Sequence, residues 1–331
     1  MNDTIYRKLI SKRKSLSKKL LQRLAEAPKS NDQYFNTEYL YASHERELAK
    51  ARDFLSGRSP KITLLLSAGS MTGKDEIMSH IAKAFAEKDH DRLHLYYSYM
   101  IGRDYLVQQL SLAMNPDVFI FSRELTKLTM GLYTIGWPDE AEQVMRQVWE
   151  HPKAPRTRSL FPDYLIVWFT IYFTLGSRDL VARAKFDVAE GEPNEPDSPY
   201  SFLLGCWKDA DPAKVRNSLV AYSEQNMARS LLGENKRTET GFDIDSWWYV
   251  PWDILAIQMR RKSLGLDWVE TDDARMHEVW QNREELPFVK DDLVWPTYLE
   301  LCDLLGVEPY KPRKSVEVRI NRENFDFEVV R

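Results

Sequence analysis

The chain has 331 residues, of which 43% are hydrophobic and 29% are charged, a balance that excludes disordered, collagen-like and disulfide-scaffold proteins. Its 46 basic and 50 acidic side chains leave a net charge of −4, so no overall positive field attracts nucleic acid or anionic lipid. The 13 glycines are only about half the usual share, which favours helices over a turn-rich β protein.

Cysteine content and hydropathy indicate a cytoplasmic protein. Cys206 and Cys302, the two cysteines, lie far apart without a CxxC pair, so neither a metal knuckle nor a disulfide framework is indicated. The longest apolar run, residues 164–175, is much shorter than the roughly 18 residues that span a bilayer. No compact apolar segment follows the basic N-terminal residues, so we expect neither a secretory signal nor membrane insertion.

The first predicted helix, residues 4–27, is amphipathic and strongly basic. Its apolar residues follow one helical stripe, and basic residues fill most of the remaining faces. Docking of the stripe on the core is the favoured interpretation, and a membrane-surface or RNA-contact role is the alternative. A second helix is predicted from Ser30, which has Gln33 at capping-box spacing, to Gly57.

Residues 61–85 allow two interpretations. Residues 68–74 fit a relaxed phosphate-loop pattern, in which Lys74 contacts the β- and γ-phosphates of a nucleotide. However, Asp75 stands where such a loop carries the Ser or Thr that binds Mg²⁺, and the usual first glycine is missing. The favoured interpretation is a helical hairpin that turns at residues 69–73 and places Asp75 and Glu76 in the first turn of its second helix.

Helix-start signals recur further along the chain, each of them typical of one helix ending and another beginning. They are Gly136 followed by Pro138, Gly176 followed by Ser177, and Asp211 followed by Pro212. The irregular spacing between them argues against a tetratricopeptide array. The sequence therefore predicts an all-α fold, an irregular stack of helical hairpins that is solenoid-like in places.

The clearest linker is the acidic, proline-rich stretch 190–200. It divides the chain into a helical region, 1–189, with the basic first helix, and an acidic, Trp-rich helical region, 201–331. In the second region, Pro251 precedes an apolar helix with a basic end at 260–262, and shorter helices are expected at 274–283 and 293–305. Alternation at 316–320 and 325–330 predicts a small C-terminal β-hairpin.

The sequence gives only weak signals for catalytic or metal-binding groups. His90 and His94 share a predicted helix face, but neither a third ligand nor an HExxH motif accompanies them. The DxD tripeptide 243–245 lies in a polar loop without a nucleotide-binding sheet. Three pairs of adjacent acids between 272 and 292 are candidate acid–base groups, but two of them precede expected helices, where the helix dipole accounts for them. We therefore expect no catalysis, no metal and no cofactor.

Charge is distributed unevenly along the chain. Residues 241–308 contain fifteen acidic and six basic side chains, which gives −9, whereas residues 1–28 carry +6. The acidic region also contains Trp247, Trp248, Trp252, Trp268, Trp280 and Trp295. Aromatic anchors and steering acids can form an interface for a basic protein partner. The alternative is that most of these tryptophans are core residues and that the acids form a solvated face.

The segment from Pro199 to Trp268 resembles a known family. An acid-rich turn opens an amphipathic helix in PYSFLLGCWKDADPAKVRNSLVAYSEQ, and after a variable loop comes the apolar, basic-ended helix of WWYVPWDILAIQMRRKSLGLDW. This succession resembles the C-terminal half of immunity proteins of bacterial polymorphic toxin systems, particularly the immunity forty-nine family. The hairpins predicted at 125–150 and 163–186 are compatible with that family, whereas the basic first helix and the tail after Pro309 lie outside the resemblance.

The resemblance implies a cytoplasmic antitoxin that binds a cognate protein toxin, blocks its active site or substrate path, and catalyses nothing. A polar loop on a rigid scaffold is a common place for partner contacts. We therefore expect the toxin to contact Asp243, Asp245, Trp247 and Trp248. Two further hypotheses stay open: an α-helical repeat adaptor that assembles other proteins, and a nucleotide-using enzyme built on residues 68–74.

Overall fold

The computed structural model describes residues 74–114, 122–149, 206–230, 250–271, 285–321 and 323–330, with isolated positions between 19 and 58 and at 273, 275 and 280. The chain divides into two units, each assembled from separated stretches. Unit 1 takes residues 1–25 and 119–284, and unit 2 takes residues 26–118 and 285–331. The predicted linker 190–200 lies outside the described residues, so the predicted division there stays a prediction.

The described elements are, in chain order, α1 (Lys74–Glu87), α2 (His90–Met114), α3 (Ser122–Thr134), α4 (Pro138–Trp149), α5 (Pro212–Ser230), α6 (Trp252–Ser263), β1 (Phe288–Lys290), α7 (Val294–Leu305), β2 (Ser315–Ile320) and β3 (Phe327–Val329). Helices predominate, as the sequence predicts. In this part of the chain, none of the helices combines the length and the apolar character needed to cross a bilayer.

Three predicted helix starts of unit 1 are confirmed at α4, α5 and α6. Gly136 adopts φ 83° in the turn between α3 and α4, a conformation that glycine reaches without steric cost. Asp211 Oδ1 accepts a hydrogen bond from the Ala213 amide at 3.0 Å, which satisfies a donor at the start of α5. Both α4 and α6 pack against α3, so α3 lies at the centre of the described part of unit 1.

In unit 2, α1 packs against α2, and α2 in turn packs against β1 and α7. The prediction of a helix that begins near Lys74 is confirmed, whereas its turn at 69–73 lies outside the described residues. Asp89 Oδ1 accepts a hydrogen bond from the Arg92 amide at 3.1 Å and so caps the start of α2. The core of this unit is rich in tyrosines of α2, each at most 3% exposed: Tyr96, Tyr97, Tyr99 and Tyr105.

The C-terminal part of unit 2 forms a three-stranded sheet with the order β1-β2-β3. Strand β2 pairs antiparallel with β3, with Val318 opposite Val329, which confirms the predicted hairpin. Strand β1 pairs parallel with β2, with Val289 opposite Val316, and the sequence did not predict it. An all-α class is therefore too narrow, because a short parallel strand extends the hairpin into a sheet. The solenoid-like stacking stays a prediction.

Candidate protein-binding site

The four predicted partner-binding residues lie outside the described residues: Asp243, Asp245, Trp247 and Trp248. They belong to residues 231–249, which the sequence predicts to form a polar loop and which we call the acidic loop. The structure describes the chain on both sides of this loop, because α5 ends at residue 230 and the description resumes at residue 250.

The chain that follows the acidic loop is deeply buried. Val250 and Trp252 are both 0% exposed. The Lys127 ammonium lies 5.6 Å from the centroid of the Trp252 ring, and Thr134 Oγ1 lies 3.3 Å from the Trp252 carbonyl oxygen. Since Lys127 and Thr134 both belong to α3, the start of α6 is held against that helix.

A buried hydrogen bond joins the two helices that flank the acidic loop. The Tyr222 hydroxyl of α5 donates to Asp253 Oδ2 of α6, while Asp253 Oδ1 accepts from the Ile254 amide at 2.8 Å. Removing one partner of a buried hydrogen bond leaves the other unsatisfied, which is costly. We define the loop anchor as the five side chains that hold the start of α6 against α3 and α5. They are Lys127, Thr134, Tyr222, Trp252 and Asp253.

The basic end of α6 is only partly solvated. Arg261 is 0% exposed, and its Nη1 donates to the carbonyl oxygens of Trp207 at 2.6 Å and Asp209 at 3.0 Å. Burial lowers the pKa of Arg261, and the charges of Asp267 and Asp209 oppose that shift. The acid-rich turn before α5 is therefore tied to the end of α6, although about fifty positions separate them in the sequence.

A buried ion pair lies beyond α6 in the same unit. Asp273 and Arg275 are 2% and 1% exposed, with 2.7 Å between Asp273 Oδ2 and Arg275 Nη2. The Ser223 hydroxyl of α5 also donates to Asp273 Oδ2, at 2.7 Å. Burial raises the pKa of Asp273, but the Arg275 charge and the hydrogen bonds from Arg275 and Ser223 outweigh it and hold that pKa below its ordinary value.

The tryptophans of the acidic region divide between core and surface. Trp252 and Trp280 are 0% and 2% exposed, so they are core residues. Trp268 and Trp295 are partly exposed. The interpretation that tryptophans of this region belong to the core is thus correct for at least two of them, and those two cannot serve as anchors for a partner.

The other sequence candidates gain no support from the described residues. Lys74 is the first residue of α1, and residues 68–73 of the phosphate-loop pattern lie outside the described part. His90 and His94 occupy the start of α2, where His94 is 4% exposed. Nowhere in the described residues do three or more His, Cys, Asp or Glu side chains converge as a metal site requires.

Neither cysteine has the properties of a nucleophile. Burial raises the pKa of Cys206, and it does the same for Cys302, whose thiol is buried beside Tyr298. A raised pKa disfavours the thiolate, which is the reactive form. These environments are typical of structural cysteines.

Unit 2 contains a buried carboxyl group, Asp291, which belongs to one of the three pairs of adjacent acids that the sequence offers as acid–base candidates. Asp291 is 5% exposed, and its Oδ1 accepts hydrogen bonds from the Leu293 amide at 2.6 Å and from the Val294 amide. Burial, together with the neighbouring Asp292 charge, raises the pKa of Asp291 to about 6 against the opposing hydrogen bonds from the two amides. Burial raises the pKa of Tyr99, and the Asp291 carboxyl group, with which its hydroxyl interacts, adds to that shift.

A second group of side chains, the hairpin clamp, holds the β2–β3 turn against α1 and α2. Tyr96 donates to Asp326 Oδ1 at 2.7 Å, Arg92 Nη2 lies 2.5 Å from Asp326 Oδ2, and His80 Nε2 lies 2.9 Å from the Asn324 carbonyl oxygen. The His80 ring stacks on Tyr96 with 4.6 Å between centroids. Burial opposes ionisation of Asp326, but Tyr96 and Arg92 hold the pKa of its carboxyl group below the ordinary value.

The segment that carries the family resemblance, Pro199–Trp268, contains α5 and α6, and the loop anchor joins these two helices. No protein-family model, no curated protein and no solved structure matches this chain.

Proposed function

We propose that this chain is an immunity protein that neutralises a cognate bacterial toxin by forming a stoichiometric complex with it. The proposal starts from the resemblance between Pro199 and Trp268 and from the absence of a catalytic set in the sequence. The toxin is then the only partner that the function requires, and the complex needs neither a metal nor a cofactor.

The observation that carries the proposal is the anchoring of the acidic loop. The described chain on both sides of residues 231–249 belongs to unit 1, and the Tyr222–Asp253 hydrogen bond ties the two flanking helices together. A loop whose ends are fixed on a rigid scaffold loses less conformational entropy when it binds, so more of its contact energy appears as affinity. The acidic loop also brings two acids and two tryptophans together in the sequence.

The charge pattern indicates the kind of toxin surface that the acidic loop recognises. Four acidic and two basic side chains give residues 231–249 a net charge of −2, which attracts a basic surface and raises the association rate. Many nucleic-acid-directed toxins need a basic active-site groove to hold phosphates. An acidic, aromatic loop is complementary to a groove of that kind, and its tryptophans supply apolar anchors.

The test begins with the tagged chain purified from its native cells. The main bound protein is then expressed alone and together with the chain. We expect the partner to arrest growth, the chain to restore it, and the complex to contain equal numbers of the two proteins. Several unrelated partners without toxicity would contradict the proposal and favour the adaptor, whereas stabilisation by a nucleotide that is lost in Lys74→Ala would favour the enzyme.

Charge reversal of Asp243 and Asp245 then tests whether the acidic loop contacts the toxin. In the complex with the identified toxin, Asp243→Lys combined with Asp245→Lys should slow association by about tenfold, because steering by opposite charges is lost. The matched control combines Asp303→Lys with Glu323→Lys, which changes the net charge equally at two exposed acids of unit 2. Equal association rates for the two double variants would remove the acidic loop from the interface while leaving the immunity function intact.

A further inference from the structure

The outer edge of β3 is an unusual feature of the sheet in unit 2. Four large apolar side chains are more than one third exposed within the described residues, and two of them, Val329 at 53% and Val330 at 48%, lie at this edge. Exposed strand edges are ordinarily protected by charges, proline or a covering element, because their free N–H and C=O groups invite another strand.

The register fixes which backbone groups of β3 point outward. The Asn321 amide donates to the Asp326 carbonyl oxygen at 2.8 Å, and the Val330 amide donates to the Glu317 carbonyl oxygen at 2.9 Å. Because successive residues of a strand alternate, residues 326, 328 and 330 turn their backbone groups toward β2, and residues 327 and 329 turn theirs away.

The outward groups differ in whether a partner already satisfies them. The Phe327 amide donates to the Tyr96 hydroxyl at 3.2 Å and to Asp326 Oδ1 at 3.0 Å. By contrast, the outward N–H and C=O of Val329 meet no hydrogen-bonding group among the residues that the structure describes. The open donor of this edge therefore belongs to Val329, whose outward acceptor is open as well.

We propose that β3 pairs antiparallel with β3 of a second copy of the chain, on a two-fold axis centred at Val329. In that register the two Val329 residues exchange both of their N–H and C=O groups, and Val329 packs against its own symmetry mate. Each Glu328 then lies opposite Val330 of the other copy, so the pairing places no like charges directly opposite each other.

Two neighbouring registers, with the axis at Glu328 or at Phe327, are less favourable than the register centred at Val329. Centring the axis on Glu328 places two carboxylates opposite each other, and its hydrogen bonds between residues 327 and 329 need the Phe327 amide, which the Tyr96 hydroxyl holds. Centring it on Phe327 requires the amide that the Tyr96 hydroxyl holds. Since stable complexes bury about 800 Å² per partner, an edge this short gives a weak, reversible dimer.

Sedimentation equilibrium over a range of protein concentrations tests the proposal, which does not depend on the proposed function. We expect the mean mass to rise from 38.9 kDa toward twice that value as concentration increases. Val329→Lys should raise the dissociation constant by at least about tenfold, because it places a charge at the axis. Val329→Pro should do the same, because it removes the outward amide and spares the bonds to β2. The matched control is Leu264→Lys, at an apolar side chain of unit 1 that is 45% exposed.

Amide hydrogen exchange in ¹⁵N-valine-labelled protein identifies the contact itself. The Val329 amide should become protected as concentration rises, while the Val330 amide, which is bonded to Glu317, should be protected throughout. A mass that stays at 38.9 kDa at every concentration overturns the proposal, and so does equal weakening by Val329→Lys and Leu264→Lys. Protection of Val329 that is independent of concentration also overturns it, because another segment of the chain or another protein then covers the edge.

Discussion

Replacing Asp291 by Asn should stabilise unit 2 at neutral pH while leaving its stability at pH 4 almost unchanged. The Asp291 carboxyl group is buried beside the start of α7, where its Oδ1 accepts hydrogen bonds from two amides. Asn keeps an oxygen that can accept those bonds and carries no charge, so the substitution removes only the penalty of ionising a buried group.

The magnitude and the sign follow from the pKa of this group. The ordinary value of 3.8 is raised to about 6, so above pH 6 the ionised group costs about 3 kcal/mol of folding free energy. The stability that Asp291 contributes is fully present below about pH 4, where folded and unfolded chains both hold the proton. It decreases between about pH 4 and pH 6, where only the unfolded chain is ionised, and is lost above that range.

Urea denaturation of the wild-type and Asp291→Asn proteins from pH 4 to pH 8 measures this difference. The gain in the free energy of unfolding should rise from near zero at pH 4 to about 3 kcal/mol at pH 8. Asp292→Asn should move the wild-type transition to lower pH, since the Asp292 charge raises the pKa of Asp291. Asp303→Asn, at an exposed position of α7, is the matched control. A gain that is the same at pH 4 and pH 8 would refute the reasoning.

Substitutions at three further sites test other parts of the structure. Gly306→Ala should lower the free energy of unfolding by about 1 kcal/mol in thermal or urea denaturation, because Gly306 ends α7 at φ 64°, and Gly306→Asn should cost less. Arg275→Met alone should cost about 3 to 5 kcal/mol, whereas adding Asp273→Leu should restore most of it, since the lone carboxylate is then gone. Burial lowers the pKa of His80, so the hairpin clamp should lose stability as pH falls below 6.5, and hydrogen exchange of the Asn324 region should show no such change in His80→Phe.

The sequence predicted the helix starts correctly because a helix start depends on residues only a few positions apart. Pro138 and Pro212 can begin a helix but cannot continue one, and Asp211 supplies an acceptor within two residues of itself. The same reasoning located the β2–β3 hairpin, whose strands alternate across a short turn. Helix α6 also ends where its basic residues and Gly265 predict, with Gly265 at φ 73°.

Features that depend on distant residues escaped prediction. Strand β1 has only three residues, and its partner begins at residue 315, so no local period marks it. Asp291 and Asp292 look alike in sequence, yet the fold buries the first and exposes the second. Arg261 was interpreted as a cation at a helix end, and its bonds to the 207–209 turn come from tertiary structure. The acidic loop and its four site residues lie outside the described part, so that site stays a prediction.

The discontinuous composition of unit 2 has a consequence for synthesis on the ribosome. Residues 119–284, which belong to unit 1, are translated between its two segments. At 5 to 20 residues per second, roughly 10 to 30 s separate the completion of α2 from the arrival of β1. Throughout that interval the tyrosine-rich face of α2 lacks the strand that packs against it, so the nascent chain offers a binding site for chaperones during this time. A codon change that slows translation of residues 119–284 should therefore lower the yield of folded protein without altering a single amino acid.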